Sequence, residues 1–485
     1  VQDTAEGWAD ALRTGLETWF AGEDIEFDLS LIRSAGAPLK TKGGRASGPE
    51  PLRNMLRFTR ERILARQGSF MTTLDAHDIM CAVGGAAVSG GVRRTAMISL
   101  FDHDDHDMLH CKDGDFWVHN NQRWNANNSA VWPERELSQE EIARFFLDMV
   151  GSGAGEPGIF NRRAALESRP ERRKPAEFGT NPCGEIILRP YQFCNLSSAI
   201  ARADDSVEEL TEKVKVATLI GTIQSMATAF PGLRPVWREN CEEERLLGVD
   251  LNGQMDSAVA QDPNVQELLR TTVIETNRHY AELLGIPQSA ATTCVKPSGN
   301  SSQLLNCSSG LHARWSRYYI RNVRVGAHSP VYKVLRDAGV PMDPENGQTR
   351  EDATTWVVHF PVKSPDGAVL RSERSALDQC EYWLQNKRSY TEHNPSVTIT
   401  YRPDEIIDVM RWIWNHQDQI GGMAFLPSSD ANYQQMPYEE ISKEEHERRA
   451  AAFPHADFSK IYRYEDRDLT NAAQEVACMA GACDI

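Results

Sequence analysis

The feature that most constrains this chain is the alternation of capped helical segments with short apolar runs. AMISLF (96–101), TTCVK (292–296), TTWVVHF (354–360) and SVTITY (396–401) are short apolar runs with the length of strands. Helical patterns lie between them. Ser138 and Glu141 form a capping-box pattern before EIARFFLDMV, and Ser206 and Glu209 form another before LTEKVKVATLIGTIQSMATAF. NVQELLRTTVIETNRHYAELL stops at Gly285, with Pro287 just beyond. Strands separated by helices predict an α/β fold with parallel strands under a helical cover. Burying both faces of every strand calls for a closed sheet, an α/β barrel. No internal repeat interrupts the pattern. Residues 35–49, AGAPLKTKGGRASGP, form a loop that sets a first helical segment apart.

Composition narrows the partners. A net charge of −17 over 485 residues, with no basic block, argues against nucleic acid as a partner. No apolar run is long enough to span a membrane, and no signal-peptide pattern opens the chain. Ten scattered cysteines without a secretory mark point to a reduced, cytoplasmic setting. There, paired cysteines mean metal or redox chemistry, and two pairs stand out: Cys183 with Cys194, and Cys478 with Cys483.

The sharpest local signal is NPCGE within GTNPCGEIILRPYQFCNL (179–196). On an extended segment Asn181, Cys183 and Glu185 share one face, which puts a thiol between an amide and an acid. Cys194 follows after a run long enough to leave and return. A buried turn cysteine is the plain alternative, but a carboxylate on the same face weakens it. TTCVKPSGNSSQLL (292–305) runs from strand to helix through Pro297, Ser298, Gly299, Asn300, Ser301 and Ser302. Small residues at such a turn leave backbone N–H groups for an anion, or simply cap the helix; the spacing is not that of a Walker loop. Gly91, Arg93 and Arg94 lie in SGGVRR, a loop suited to phosphate contacts or to plain solvation. Cys478 and Cys483 lack the spacing of a zinc site, and only Met-Ala-Gly-Ala separates them. His103, His106 and His110, interleaved with Asp, read as a solvated loop, so no metal site is predicted.

Taken in order, NPCGE, FCNL, VKPSGN, SGGVRR and the terminal CMAGAC resemble the ribonucleotide reductases, above all the adenosylcobalamin-dependent class II enzymes of monomeric type that reduce ribonucleoside triphosphates. The likeness extends from EGWADAL through DLSLIRSAGA, GGRASGPEPL, RWNANNSAV and GEPGIFN to the last residues. It implies a ten-stranded α/β barrel. It also implies that Cys183 carries a thiyl radical, that Glu185 takes the 3′-hydroxyl proton, and that Asn181 holds the substrate hydroxyls. Cys194 is then one of two thiols oxidised as the 2′-hydroxyl leaves, and Cys478 with Cys483 re-reduce the disulfide in exchange with a thioredoxin-like reductant. The 297–302 turn corresponds to the substrate-phosphate turn, and Gly91, Arg93 and Arg94 to the loop that senses a deoxynucleotide effector. The implied cofactor is adenosylcobalamin and the implied substrate a ribonucleotide.

Two departures accompany the resemblance. The family's second reducing cysteine belongs to an early barrel strand that has no counterpart after Val1; Cys81, in DIMCAVGG, sits in a helix-like run instead. The expectation is therefore a chain lacking the N-terminal portion of the family pattern, truncated or carried on a separate chain. In addition, DAHDIM (75–80) lacks the glycine of the D-x-H-x-x-G cobalamin signature. On this reading residues 1–45 are the rest of an effector-binding region, 46–460 the catalytic barrel and 461–485 a mobile redox tail. The alternatives are a class I large subunit, disfavoured because the only Tyr-Tyr is 318–319, and a catalytically incomplete nucleotide-binding fragment.

Overall fold

The computed structural model describes residues 1–37, 46–89, 92–93, 95–153, 155–327, 329–346, 348–351, 353, 355–428 and 435–464. Three helices open the chain: α1 (Ala5–Phe20), α2 (Glu50–Ala65) and α3 (Thr73–Ala86). Trp19, Leu52, Leu56 and Ile63 form their shared apolar core.

Eight strands follow in two parallel groups. The first group is β1 (Met97–Asp102), β2 (Ala126–Trp132) and β3 (Gly158–Asn161), each parallel to the next. A short hairpin, β4 (Gly179–Thr180) and β5 (Ile187–Leu188), interrupts the series. The second group begins with β6 (Asn195–Ile200), β7 (Leu247–Asn252) and β8 (Thr293–Cys294), again parallel. Two later strands, β11 (Thr398–Tyr401) and β12 (Gly422–Pro427), are parallel to each other, and β12 lies antiparallel against β3. A parallel bridge from Val295 to Pro395 ties the end of β8 to the residues leading into β11. The order is therefore β1-β2-β3-β12-β11-β8-β7-β6: three parallel strands meet five across one antiparallel seam. Among the described residues, the outer edges of β1 and β6 pair with no strand.

All six residues of β7 are buried, as expected of a parallel strand covered on both faces. The cover comes from α4 (Gln139–Ser152), α5 (Val207–Gln224), α6 (Pro263–Leu284), the short α7 (Gly299–Leu304), α8 (Ala376–Ser389) and α9 (Ile406–His416). Both predicted capping boxes form, at Ser138–Glu141 and Ser206–Glu209. Gly285 ends α6 in the left-handed region, and Ile286 N–H returns to Ala281 O at 3.0 Å. Gly253, just after β7, has φ +78°, and a Cβ there would lie 2.2 Å from Ala201 O. Only glycine fits.

Two expectations need correction. TTWVVHF belongs to no parallel group: β10 (Thr355–Lys363) pairs antiparallel along all of β9 (Tyr318–Gly326), in a separate four-stranded sheet. An apolar run announces a strand and says nothing of its partner. The helix predicted to run on toward Phe230 ends at Gln224. Met226 N–H tightens onto Ile223 O, and the chain turns toward Pro231–Gly232.

Candidate active site

NPCGE is the tip of the β4–β5 hairpin and not the extended segment that its alternation suggests. Gly179 pairs with Leu188 and Thr180 with Ile187. Asn181 then closes the tip, its Oδ1 accepting Ile186 N–H at 2.9 Å and its carbonyl accepting Gly184 N–H at 2.9 Å. Gly184 takes φ +81°, which turns the chain back so that Cys183 points out and Glu185 in. The Asn181 carboxamide oxygen is thus used by the loop, while its NH2 group makes no hydrogen bond to a described residue.

The tip is held from both halves of the sheet. From β2, Asn127 Nδ2 donates to Pro182 O at 2.8 Å; from the lead into β11, Ser396 Oγ donates to Cys183 O at 2.5 Å. Asn394 adds two bonds, its N–H to Glu185 O at 3.1 Å and its Nδ2 to Gly184 O at 2.9 Å. Behind the tip, His393 accepts Ile187 N–H at Nδ1 (3.2 Å) and donates from Nε2 to Leu247 O (2.9 Å). That pattern needs the neutral imidazole, and burial holds His393 well below its ordinary pKa. Arg173, paired with Glu244 at 2.9 Å, donates to Ile187 O at 2.9 Å.

Glu185 is the decisive side chain. It is 0 % exposed, and neither carboxylate oxygen has a hydrogen-bond partner. A buried carboxylate left this way costs on the order of 1–3 kcal/mol or more unless something bound there satisfies it. Among the described residues its counter-charge is the Lys296 ammonium, 3.6 Å from Oε1. Burial works to lower the Lys296 pKa, but Glu185, then Cys183 and Asp250, outweigh it and hold it above the usual lysine value. Cys183 is the one exposed thiol among the eight described cysteines. Its pKa is raised by the low-dielectric surroundings of the sulfur and by Glu185, against a lowering by Lys296. The thiol is therefore protonated at neutral pH, a hydrogen-atom donor and not a nucleophile.

Cys194 lies at the entry to β6, packed near Leu246, Ala290 and Ala291. Burial raises its pKa, and the charge of Glu185 adds to the rise, so the two share one region. The 297–302 turn caps the end of β8. Ser298 is buried, and its Oγ accepts Asn252 Nδ2 at 2.5 Å. Ser301 Oγ and Ser302 Oγ donate within the turn, to Ser298 O and Gly299 O. Pro297 and Gly299 shape the same turn; the Asn300 side chain lies outside the described residues, although its backbone is part of α7.

No family model matches the chain. It is 27% identical to the adenosylcobalamin-dependent ribonucleoside-triphosphate reductase of Lacticaseibacillus paracasei, over all of this chain and 70% of that protein. It is 28% identical to the probable reductase of the same description from Dictyostelium discoideum, over 95% of this chain and 61% of that one. The Euglena gracilis reductase is likewise 28% identical, over 92% of this chain and 62% of the relative. A crystal structure of a B12-dependent, class II ribonucleotide reductase superposes with a TM-score of 0.78, at 24% identity, over 96% of this chain and 69% of that one. The chain has the class II ribonucleotide reductase fold.

Other sequence predictions land differently within this reductase fold. Arg93 lies on the two-residue strand Val92–Arg93, paired with Val88–Ser89, and its side chain is outside the described residues. Gly91 and Arg94, like Cys478 and Cys483, are outside them altogether. Among the described residues, no helix is long and apolar enough to cross a membrane. No cluster of metal-ligating side chains occurs among them either. Sequence reading passed over Lys296, although it sits inside the quoted VKPSGN. It also passed over Asp250, a lone acid in the buried strand LGVDLN, and the loop anchors Asn127, His393, Asn394 and Ser396. For Asp250, a charged residue in an otherwise mostly apolar strand was the available signal.

Proposed function

We propose that this chain reduces ribonucleotides, as triphosphates, to 2′-deoxyribonucleotides by a thiyl-radical route at Cys183. The observation that carries the reading is the Glu185 carboxylate: fully buried, free of hydrogen bonds at both oxygens, and on the same hairpin tip as the exposed thiol. Such a group is a base waiting for a substrate hydroxyl. The Cys183 radical takes the hydrogen atom from ribose C3′, and Glu185 takes the 3′-hydroxyl proton. The free NH2 of Asn181 orients the sugar hydroxyls. The C2′–O bond then breaks and its oxygen leaves as water. Two electrons and two protons come from Cys194 and a second thiol, which close to a disulfide. Cys183 then returns its hydrogen atom to C3′, and Glu185 its proton to the 3′ oxygen, which restores the thiyl radical. The 297–302 turn receives the substrate phosphates.

Residues at the tip fit a radical-generating cofactor, because Cys183 Sγ is reachable from outside and makes no hydrogen bond to a described residue. Adenosylcobalamin, when bound, supplies the one-electron oxidation of that thiol. One residue beyond the Ser396 contact, Val397 and Thr398 line a cavity of about 280 Å³ with Trp315, Tyr438, Leu311 and Arg371. Trp315 stacks on Tyr438, and Arg371 lies over Trp315. These residues would hold part of the group; the volume is too small for all of it.

Residues 1–45 belong with an effector-binding region, 46–460 with catalysis and 461–485 with disulfide exchange. The Arg93–Arg94 loop responds to a deoxynucleotide effector, and Cys478 with Cys483 pass electrons from a thioredoxin-like protein. Two more strands, added at the edges of β1 and β6 that are unpaired among the described residues, bring the first group to five and close the barrel. Beside β6, α5 exposes Val216, Ile220 and Ile223 at helical spacing. A polypeptide segment on this or a separate chain supplies those strands and, with them, the second thiol. The test is deoxynucleotide formation by the assembled enzyme with adenosylcobalamin, a ribonucleoside triphosphate and a dithiol. Turnover that survives Glu185→Gln unchanged contradicts the reading.

A further inference from the structure

Asp250 stands at the centre of β7 and is 1% exposed. Its Oδ1 accepts the backbone N–H of Lys296 at 2.7 Å. Its Oδ2 accepts the Ser198 hydroxyl at 2.8 Å and the Asn252 amide, and meets the Ser298 hydroxyl at 3.4 Å. Asn252 is itself fixed, because its Oδ1 accepts Gly310 N–H at 2.8 Å. One buried carboxylate therefore grips the chain on both sides of Pro297. The residue whose backbone it holds is the one whose ammonium faces Glu185.

We propose that Asp250 is a positioning residue for the Cys183–Glu185 pair, acting through Lys296. This rests on the reading above only in giving Glu185 the role of base; the geometry stands by itself. With Lys296 N–H anchored, the side chain leaves β8 toward the hairpin tip, and its charge offsets that of Glu185. Without the anchor, the half-exposed lysine relaxes into solvent and the tip loses its cation. Asp250 is held protonated unusually high, to about 7, by burial first, with Glu185 adding to the rise against its hydrogen bonds and Lys296. The titratable groups facing it are Glu185, Lys296, Cys294 on β8, Cys307 beyond α7 and Tyr390 beyond α8. Ionised Asp250 is the stronger acceptor, so its hold on Lys296 tightens as pH rises through 7.

The Cys183 thiol reads this out without nucleotide or turnover, since Lys296 lowers its pKa and Glu185 raises it. The rate of Cys183 carboxamidomethylation by iodoacetamide, followed by peptide mass, is measured against pH. Asp250→Asn is expected to move the profile to higher pH, slowing alkylation at a given pH about tenfold if the profile moves by one pH unit. The gap from the parent should open above pH 7. Lys296→Met should move the profile in the same way, and Asp250→Asn should add nothing in a Lys296→Met background. An unmoved profile in Lys296→Met overturns the proposal even if Asp250→Asn fails to fold. So does an effect of Asp250→Asn that persists undiminished without Lys296. If ribonucleotide reduction is absent while the profiles move, the functional reading fails and the positioning role stands; unmoved profiles in an active enzyme give the reverse.

Discussion

At the scale of single residues, Glu185 and Cys183 differ in what they need from their surroundings. The carboxylate is buried without partners, and the thiol is exposed with its proton retained. Glu185→Gln keeps the shape and removes the base. It should lower kcat by about 10²–10⁴-fold with nucleotide affinity little changed, a result that single-turnover kinetics and equilibrium binding separate. A fall in affinity with the rate preserved would make Glu185 a binding group. A thiol beside an acid was legible in NPCGE, although not on one face as the alternation suggests, because the turn at Gly184 sends Cys183 out and Glu185 in. Lys296 was not, because a lysine beside a Pro-Ser-Gly turn looks solvated until the fold brings it to the carboxylate. Nor was the turn geometry, since alternation of side chains suits a strand and a hairpin tip equally well.

At the scale of elements, the hairpin is positioned by what lies behind it. His393 bridges β5 to β7 as a neutral ring. Its folded pKa lies below the unfolded value of 6.5, so the unfolded state binds more protons as pH drops below 6.5. The stability that the neutral ring contributes is full above that pH and is lost on acidification. His393→Gln removes this dependence. Urea unfolding at pH 7.5 and 5.5 should show the gap between parent and variant narrowing at the lower pH, by about 1.4 kcal/mol for every pH unit below 6.5. A constant gap would mean that the ring is not held neutral. Arg173→Ala leaves Glu244 buried without its cation and should cost about 3–5 kcal/mol, read by the same unfolding measurement. Helices were the more legible elements. Caps at Ser138, Ser206 and Gly285 mark their ends with local chemistry, whereas the sheet that takes a run such as TTWVVHF depends on partners far away in sequence.

At the scale of the whole molecule, three parallel strands and five meet antiparallel at β3 and β12, and the reactive hairpin is clamped between the two groups by Asn127 and Ser396. An α/β fold with parallel strands under helices was legible from alternation alone, but strand order was not, because β3–β12 and β8–β11 contacts join residues a hundred or more positions apart. Electron supply belongs to this scale too. In the assembled enzyme, Cys478→Ser with Cys483→Ser should allow about one turnover with thioredoxin, while a small dithiol restores many, because thiol exchange needs a thiolate delivered to the disulfide. Normal cycling with thioredoxin would remove the tail from the pathway. Whether Cys183 carries the radical is read from the yield of deoxynucleotide per enzyme with ribonucleoside triphosphate, adenosylcobalamin and excess dithiol, for the parent and for Cys183→Ser. The parent should form many equivalents and the variant none, with nucleotide binding intact in both. Deoxynucleotide from Cys183→Ser, or none from the assembled parent, would contradict the account.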